Sequence, residues 1–413
     1  MIRRIWSLTA ATFVAACAQT CSAQQGLSLQ EAIGRALQSR ASLRADAERI
    51  SAAEGLKKQA GLWPNPEFQF QNENLRPGQT YSQDVDTLAM INQPLDVLGK
   101  RKQRVAFAGA GVSRAQADYD LSRRQIAQRV KLAYWTARGS QEVRDVLRSS
   151  IGSFQRIVDY HAAQLSVGAI AEQDVLRVRL EAERLKISAD LASLDANRAR
   201  MDLLREMGQT EFVEYVLTEP LNVDIQPAPV GVDAALAERL EIKVARTSVD
   251  QSLSNARLQE VLARPDLNLT AGYKRTELPD TTTGVNTAMF SVRITLPTTD
   301  KNQGGRIAAE AEVRRQQQLL AAVEAEVRAD YYAALQEFEW RRSEFATALQ
   351  PLREHAANIA QIASAAYTEG GTDLLRLLDA ERARLEAELA WTRGLVDYRL
   401  SIVKLEAAEG LNP

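Results

Sequence analysis

Histidine occurs twice in the 413-residue chain, as His161 and His355, and cysteine twice, as Cys17 and Cys21. Imidazole and thiolate are the commonest protein ligands for zinc-like metals, and both serve as general bases or nucleophiles. A metal site needs several such groups converging, usually announced by close spacing. Here each histidine stands alone in a charged, helix-forming stretch, and both cysteines lie near the amino terminus. A lone helical histidine is ordinarily a packing or surface residue; for His161 the sharper alternative is a relay point for passing metal ions. Nowhere does a nucleophile sit with a base and an orienting acid, which argues against a secreted hydrolase. These residues predict no catalytic site, no cofactor and no resident metal.

The elements that carry them read as mostly helical. The chain is 45% apolar and 25% charged, a globular balance that argues against wholesale disorder. A formal net charge of −2 leaves no basic footprint for nucleic acid. Proline is bunched: Pro64, Pro66, Pro77 and Pro94, then Pro220 to Pro297, then Pro351 and the last residue. Because proline lacks an N–H and clashes with the preceding turn, the two long proline-poor tracts predict helices. Val143, Leu147, Ile151, Phe154 and Val158 step by three and four, as do Leu320, Val323, Val327, Tyr331, Ala334 and Phe338. So narrow a stripe marks a coiled-coil seam. A helix of roughly 60 residues would run about 90 Å. Pro351 is expected to kink the last long one.

Each tract breaks at a glycine-bearing turn, "LSVGAIAEQD" from Leu165 and "YTEGGTDLL" from Tyr367. Gly168, Gly370 and Gly371 let the helix fold back as an antiparallel hairpin. The returning arms, "RLEAERLKIS" from Arg179 and "LLDAERARLE" from Leu377, read as counterparts ending at Gly208 and Gly410.

The proline-marked regions alternate with period two. Phe68 and Phe70 share one face; so do Leu267, Leu269, Ala271 and Tyr273, and Phe290, Val292, Ile294 and Leu296. The run from Thr87 to Leu95 alternates more weakly. Four segments of about ten residues, one side apolar and the other polar, have the form of transmembrane β-strands. Four strands cannot close a barrel, and an open sheet edge is not tolerated in lipid, so the barrel must be shared. Three copies make twelve strands.

The chain therefore reads as an internal duplication. A first repeat spans 24–208, with strands at about 66–75 and 86–96. A connector of no clear period spans 209–231, and a second repeat spans 232–413, with strands at about 266–275 and 287–296. The repeated bends are "QPLDVLGKRKQRVAFAG" from Gln93 and "LPTTDKNQGGRIAAEAE" from Leu296. Pro94 and Pro297 are expected to end the ladder, and Gly99, Gly304 and Gly305 to allow the swerve into helix. Lys100, Arg101, Lys102, Lys301 and Arg306 either meet anionic headgroups or solvate a loop. Trp63 fits an interfacial belt or a tunnel wall.

At the amino terminus, Arg3 and Arg4 precede an apolar run from Ile5 to Ala16, and small residues suit a cut after Ala23. Residues 1–23 read as a signal peptide. A second reading takes Val14-Ala15-Ala16-Cys17 as a lipobox with Cys17 acylated. No later stretch reaches the roughly 18–20 apolar residues of a transmembrane helix.

At these residues the sequence resembles the TolC family of outer-membrane efflux ducts, from "LSLQEAIGRAL" at Leu27 to "LEAAEG" at Leu405. "PNPEF" from Pro64, "QPLDVLGKR" from Gln93 and "LPTTDKNQGG" from Leu296 resemble its heavy-metal, CzcC-like branch, associated with cobalt, zinc and cadmium. The resemblance implies a homotrimer in the outer membrane of a Gram-negative bacterium: a shared twelve-stranded β-barrel continuing into a periplasmic α-helical tunnel. It implies a periplasmic adaptor (membrane fusion protein) and an inner-membrane RND-type proton-driven pump as partners, and divalent heavy-metal cations as cargo. Drug or dye efflux, or secretion, is the alternative; a periplasmic coiled-coil adaptor or scaffold fits less well, since it needs only one hairpin. Adaptor contact carries over to Val167, Gly168, Glu369, Gly370 and Gly371. The family's acidic gate carries over to Asp379, but Arg376 stands where another acid belongs, which suggests an Arg–Asp lock. An ordinary solvated helix acid is the other reading of Asp379.

Overall fold

The computed structural model describes residues 25–75, 77, 85–211, 213–222, 228–277 and 284–411. The expected leader, its cut after Ala23 and Cys17 lie outside the described residues, as do parts of the strand-connecting loops and of the connector.

Strand β1 (Gln25–Leu27) leads into α1 (Leu29–Ser39), whose start is fixed by a capping box: the Glu31 N–H donates to Ser28 Oγ, and the Ser28 N–H to Glu31 Oε2. Then come α2 (Ala41–Ala60), β2 (Glu67–Glu73) and β3 (Asp86–Leu95). Helix α3 (Lys100–Ser166) runs 67 residues unbroken, about 100 Å, and α4 (Glu172–Glu206) returns beside it. In the connector β4 (Tyr215–Leu217) pairs parallel with β1. The second half repeats the plan: α5 (Val232–Glu238), α6 (Leu240–Leu262), β5 (Leu267–Thr276), β6 (Val285–Ile294) and α7 (Gln303–Glu344). A π-turn at Phe345–Leu349 joins α7 to α8 (Gln350–Thr368), and α9 (Leu374–Ala408) returns.

Three levels stack along the long axis. The sheet has the order β2-β3-β5-β6. Beneath it α2, the upper part of α3, α6 and α7 lie side by side; lower down the order is α4, α3, α9, α8. A buried collar separates the helical levels, built from Leu27, Ile126, Val130, Tyr134, Leu203 and Met207. There the Tyr134 hydroxyl donates to the Leu27 carbonyl at 2.8 Å, satisfying the one polar atom this large ring buries.

Strand register sorts the sheet into two faces. Phe68 opposes Ile91, Ile91 opposes Ala271, and Ala271 opposes Phe290; Leu269 opposes Val292, and Leu267 opposes Ile294. Residues directly opposite share a face, so these apolar residues, drawn from all four strands, gather on one side. Gln69, Asn92, Thr270, Lys274, Ser291 and Arg293 fall on the other. The weaker alternation of β3 has a cause: Met90 sits on the polar face directly against Gly272, where a Cβ would strike it.

The bends depart from expectation in two ways. Pro94 does not end the ladder; it pairs with Asn268 inside β3, beyond the last β2 partner at Asn92, where a missing N–H breaks no bond on that side. Nor do Gly304 and Gly305 make the swerve. The left-handed residue is Asn302 (φ 52°), the counterpart of Gly99 (φ 86°), and both glycines already lie in α7. Asparagine tolerates this conformation, and the Asn302 amide is anchored by donating to Gln259 O at 2.8 Å. Gly305 is needed for space under that amide, whereas a Cβ on Gly304 would meet nothing. Two bend cations are spent locally: Lys100 pairs with Asp266 at 2.7 Å, and Arg101 donates to Gly61 O at 2.6 Å while lying over the Trp63 ring. Lys102, Lys301 and Arg306 are exposed.

Candidate functional site

The two hairpin tips are built alike. After α3, the Gly168 N–H donates to Leu165 O and the Ala169 N–H to Gln164 O; after α8, Gly370 donates to Tyr367 O and Gly371 to Ala366 O. Gly168 and Gly370 take φ of 73° and 75°, while Gly371 does not enter the left-handed region. The same double bond closes α4 at Gly208 and α9 at Gly410. Gly168 and Gly208 are as far apart as Gly370 and Gly410, so the "AER" triplets at Ala182 and Ala380 stand one helical turn out of step. Val167 projects at the first tip, 78% exposed.

Just above the tips, two contacts tie the hairpins together. His161 on α3 is buried between Tyr160 and Tyr367, stacking on Tyr367 of α8. Its Nδ1 lies 2.7 Å from Ile157 O and its Nε2 2.7 Å from the Tyr367 hydroxyl. A carbonyl only accepts, so in the neutral ring Nδ1 carries the proton and Nε2 accepts from the tyrosine. Burial first, with Tyr160 and Asp174 adding to it, raises the Tyr367 pKa and keeps that donor protonated. Both ring nitrogens are thus engaged, and His161 packs rather than relays. The second tie joins α4 to α9: Arg382 grips Glu181, donating from Nε at 3.0 Å, and Arg184 shares the carboxylate at 3.0 Å.

The two candidate gate residues lie three positions apart near the start of α9. Asp379 reaches Arg382 at 3.8 Å, while the exposed Arg376 is held by its backbone, whose N–H donates to Asp373 Oδ1 at 2.9 Å. Among the described residues no ion pair joins Arg376 to Asp379 within the chain. The two observed ties leave no signal in the sequence, because each joins residues some 200 positions apart. His355 is exposed on α8. Among the described residues no His, Cys, Asp and Glu cluster suits a metal, and no helix is long and apolar enough to cross a membrane.

A stacked sheet, collar and paired hairpins in a twice-repeated plan agree with comparison to known proteins. The family model described as outer membrane efflux protein matches twice, over residues 32–209 and 231–410. The chain belongs to the outer membrane efflux protein family. It is 25% identical over 370 residues to the cobalt-zinc-cadmium resistance protein CzcC of Cupriavidus metallidurans, covering 88% of this chain and 85% of that one. It is 23% identical over 353 residues to nodulation protein T of Rhizobium leguminosarum bv. viciae, covering 80% of this chain and 70% of that one. The open-state MtrE outer membrane channel of Neisseria gonorrhoeae superposes with a TM-score of 0.76 at 20% identity, over 93% of this chain and 89% of that one. The protein is thus an outer-membrane efflux channel with a large periplasmic helical part, a passive conduit rather than an enzyme.

Proposed function

We propose that three copies of this chain form the outer-membrane exit duct of a proton-driven tripartite system exporting divalent heavy-metal cations. The observation that carries the cargo is the similarity to CzcC along most of the chain. Ring closure is supported by open flanks at every level. One side of the chain presents β2, α2 and α4; the other presents β6, α7 and α8. Leu176, Leu180, Ile187 and Leu191 stand exposed on α4, and Leu352, Ile359 and Ile362 on α8. Unlike flanks of successive copies meet head to tail, which generates a ring. Three sets of four strands give twelve, an even count found in outer-membrane barrels.

In this reading Val167, Gly168, Glu369, Gly370 and Gly371 meet the adaptor, and Arg376 and Asp379 face neighbouring copies at the mouth. The apolar sheet face and the exposed Lys102, Lys301 and Arg306 meet lipid. The ties His161–Tyr367 and Glu181–Arg382 hold the mouth narrow. Together they are worth on the order of 1–2 kcal/mol, small enough for a bound adaptor to reverse.

Cargo is tested by the tolerance of a deletion strain to cobalt, zinc, cadmium, nickel and copper beside a panel of dyes and antibiotics. Hypersensitivity confined to one or two metals is the expected result. Sensitivity to the organic panel alone would leave the duct standing and replace the cargo; similarity to nodulation protein T keeps a non-metal cargo in view.

A further inference from the structure

The polar face of the sheet carries two cations, Lys274 on β5 and Arg293 on β6. Lys274 is answered within the chain, its Nζ lying 2.7 Å from Asp86 Oδ2. Arg293 is exposed and, among the described residues, makes no ion pair or hydrogen bond within the chain. It stands on one edge of the sheet, next to the last residue of β6.

The other edge, β2, turns Glu67, Gln69, Gln71 and Glu73 to the same face. Gln69 donates to Gln71 at 2.9 Å and Gln71 to Glu73 at 3.0 Å, so Glu73 is engaged along its own strand. Glu67 takes only a 3.5 Å contact from the Asn92 amide. Glu67 opens β2 and Arg293 closes β6, so both lie at the end of the sheet nearest the helices. An unanswered cation on one edge thus matches a weakly engaged acid on the other.

The seam inside the chain, between β3 and β5, shows how one repeat joins the next. Pro64 and Pro265 precede the first strand of each repeat, which makes Asn268 the counterpart of Glu67. Asn268 stands opposite Arg293 as Glu67 stands opposite Asn92, so Arg293 is the counterpart of Asn92. Across the inner seam Asn92 faces Thr270, whose hydroxyl donates to Asn92 Oδ1 at 3.2 Å. Each repeat therefore climbs two residues on the last, a step that keeps polar-face residues opposite polar-face residues. The same step between β6 and the β2 of a second copy sets Arg293 opposite Gln69. Glu67 then lies on the diagonal, within reach of so long a side chain. Six such repeats tilt the strands of a twelve-stranded barrel by about 35°, the inclination outer-membrane barrels show.

We propose that Arg293 of one copy pairs with Glu67 of the next, three times around the lumen just above the helical tunnel. The pair rests on the three-copy duct reading above and adds to it the register of the seam. It also bears on cargo. Three bare guanidinium groups would ring the path of outgoing cations, and Glu67 cancels their charge.

The test uses the full-length protein in detergent, with light scattering to count the chains in each particle. The chain has no cysteine after Cys21, so pairs can be introduced cleanly. Gln69→Cys with Arg293→Cys should oxidise to a covalent trimer on denaturing gels. Glu73→Cys with Arg293→Cys, four residues further along β2, should not. Three chains per particle without the first disulfide, or with both formed equally, overturn this register and leave the ring. A single chain per particle would sink the ring itself.

The charges are tested by reversal. Glu67→Arg and Arg293→Glu should each lower the fraction of trimer surviving mild heating in low salt at least threefold, and together they should restore it. Single reversals without effect, or a double variant no better than the singles, overturn the pair. In bilayers Glu67→Gln should shift the reversal potential toward anion preference; an unchanged potential would sink the bearing on cargo.

Discussion

Arg40 and Arg239 occupy the same break in the two halves, between α1 and α2 and between α5 and α6. Each pins the end of its returning helix. Arg40 donates to Glu206 O at 2.7 Å and to its carboxylate at 2.9 Å; Arg239 donates to Ala408 O at 3.3 Å and pairs with Glu241 at 2.8 Å. Leu27 and Val230, which open the two halves, each have their carbonyl held by a tyrosine, Tyr134 and Tyr331. At the collar the duplication has kept its contacts. Toward the tips it has not: one hairpin is straight and the other is broken by a π-turn. The contacts that hold the collar together cannot drift independently, whereas what hangs beneath is free to specialise.

The largest test of this comparison is at the collar. Arg239→Ala should cost about 2 kcal/mol, because it removes a buried guanidinium from the half-buried Glu241 and leaves the carbonyls at the end of α9 unpaired. Arg40→Ala should cost about half as much, since Glu206 keeps Arg129 at 3.2 Å. Thermal melting of the assembled protein in detergent reads both, and equal losses would erase the distinction. Next comes the hairpin level. Gly394→Ala forces a methyl into Leu349 and should cost about 1–3 kcal/mol. Its mirror, Ala192→Gly, loses only about 1 kcal/mol of helix propensity.

The bends rank third. Gly99→Ala should cost about 1–2 kcal/mol because the left-handed backbone rejects a Cβ, while Gly304→Ala should cost nothing. A loss at Gly304 matching that at Gly99 would restore the sequence-based view of the second bend.

That pair shows how far the sequence could be read. Proline and glycine punctuation exposed both hairpins, and alternation exposed four strands, because backbone rules act over a few residues. "NQGG" misled because glycine is the expected left-handed residue, and only the fold shows that Asn302 takes the role while Gly305 makes room for its amide. The ties Glu181–Arg382 and His161–Tyr367 were not legible for a different reason: ordinary helix-surface residues acquire a role only when a distant helix arrives opposite them.

The smallest expected effect is at Glu409, which stands where the first half has buried Met207. Burial raises its carboxyl pKa, the Val230 N–H opposes that, and Glu406 adds to it. An acid with a higher pKa folded than unfolded keeps its proton longer in the fold. Stability therefore falls as pH rises from the unfolded value through the folded one. Glu409→Gln keeps an oxygen for the Val230 N–H at 2.8 Å and should raise the melting point by roughly 1–2 °C at pH 7.5, with no gain below about pH 4. A gain that persists in acid would assign the effect to something other than charge.

The open flanks have a genetic corollary. Strands β2 and β6 each present an edge that lipid cannot satisfy, so a chain reaches its stable state only in company. In the proposed ring, a defective copy that keeps both flanks still takes a place. If three copies close it, equal amounts of sound and spoiled chain leave only about one assembly in eight intact. Point defects beneath the barrel should therefore act dominantly over a normal copy, whereas loss of the whole chain should be recessive.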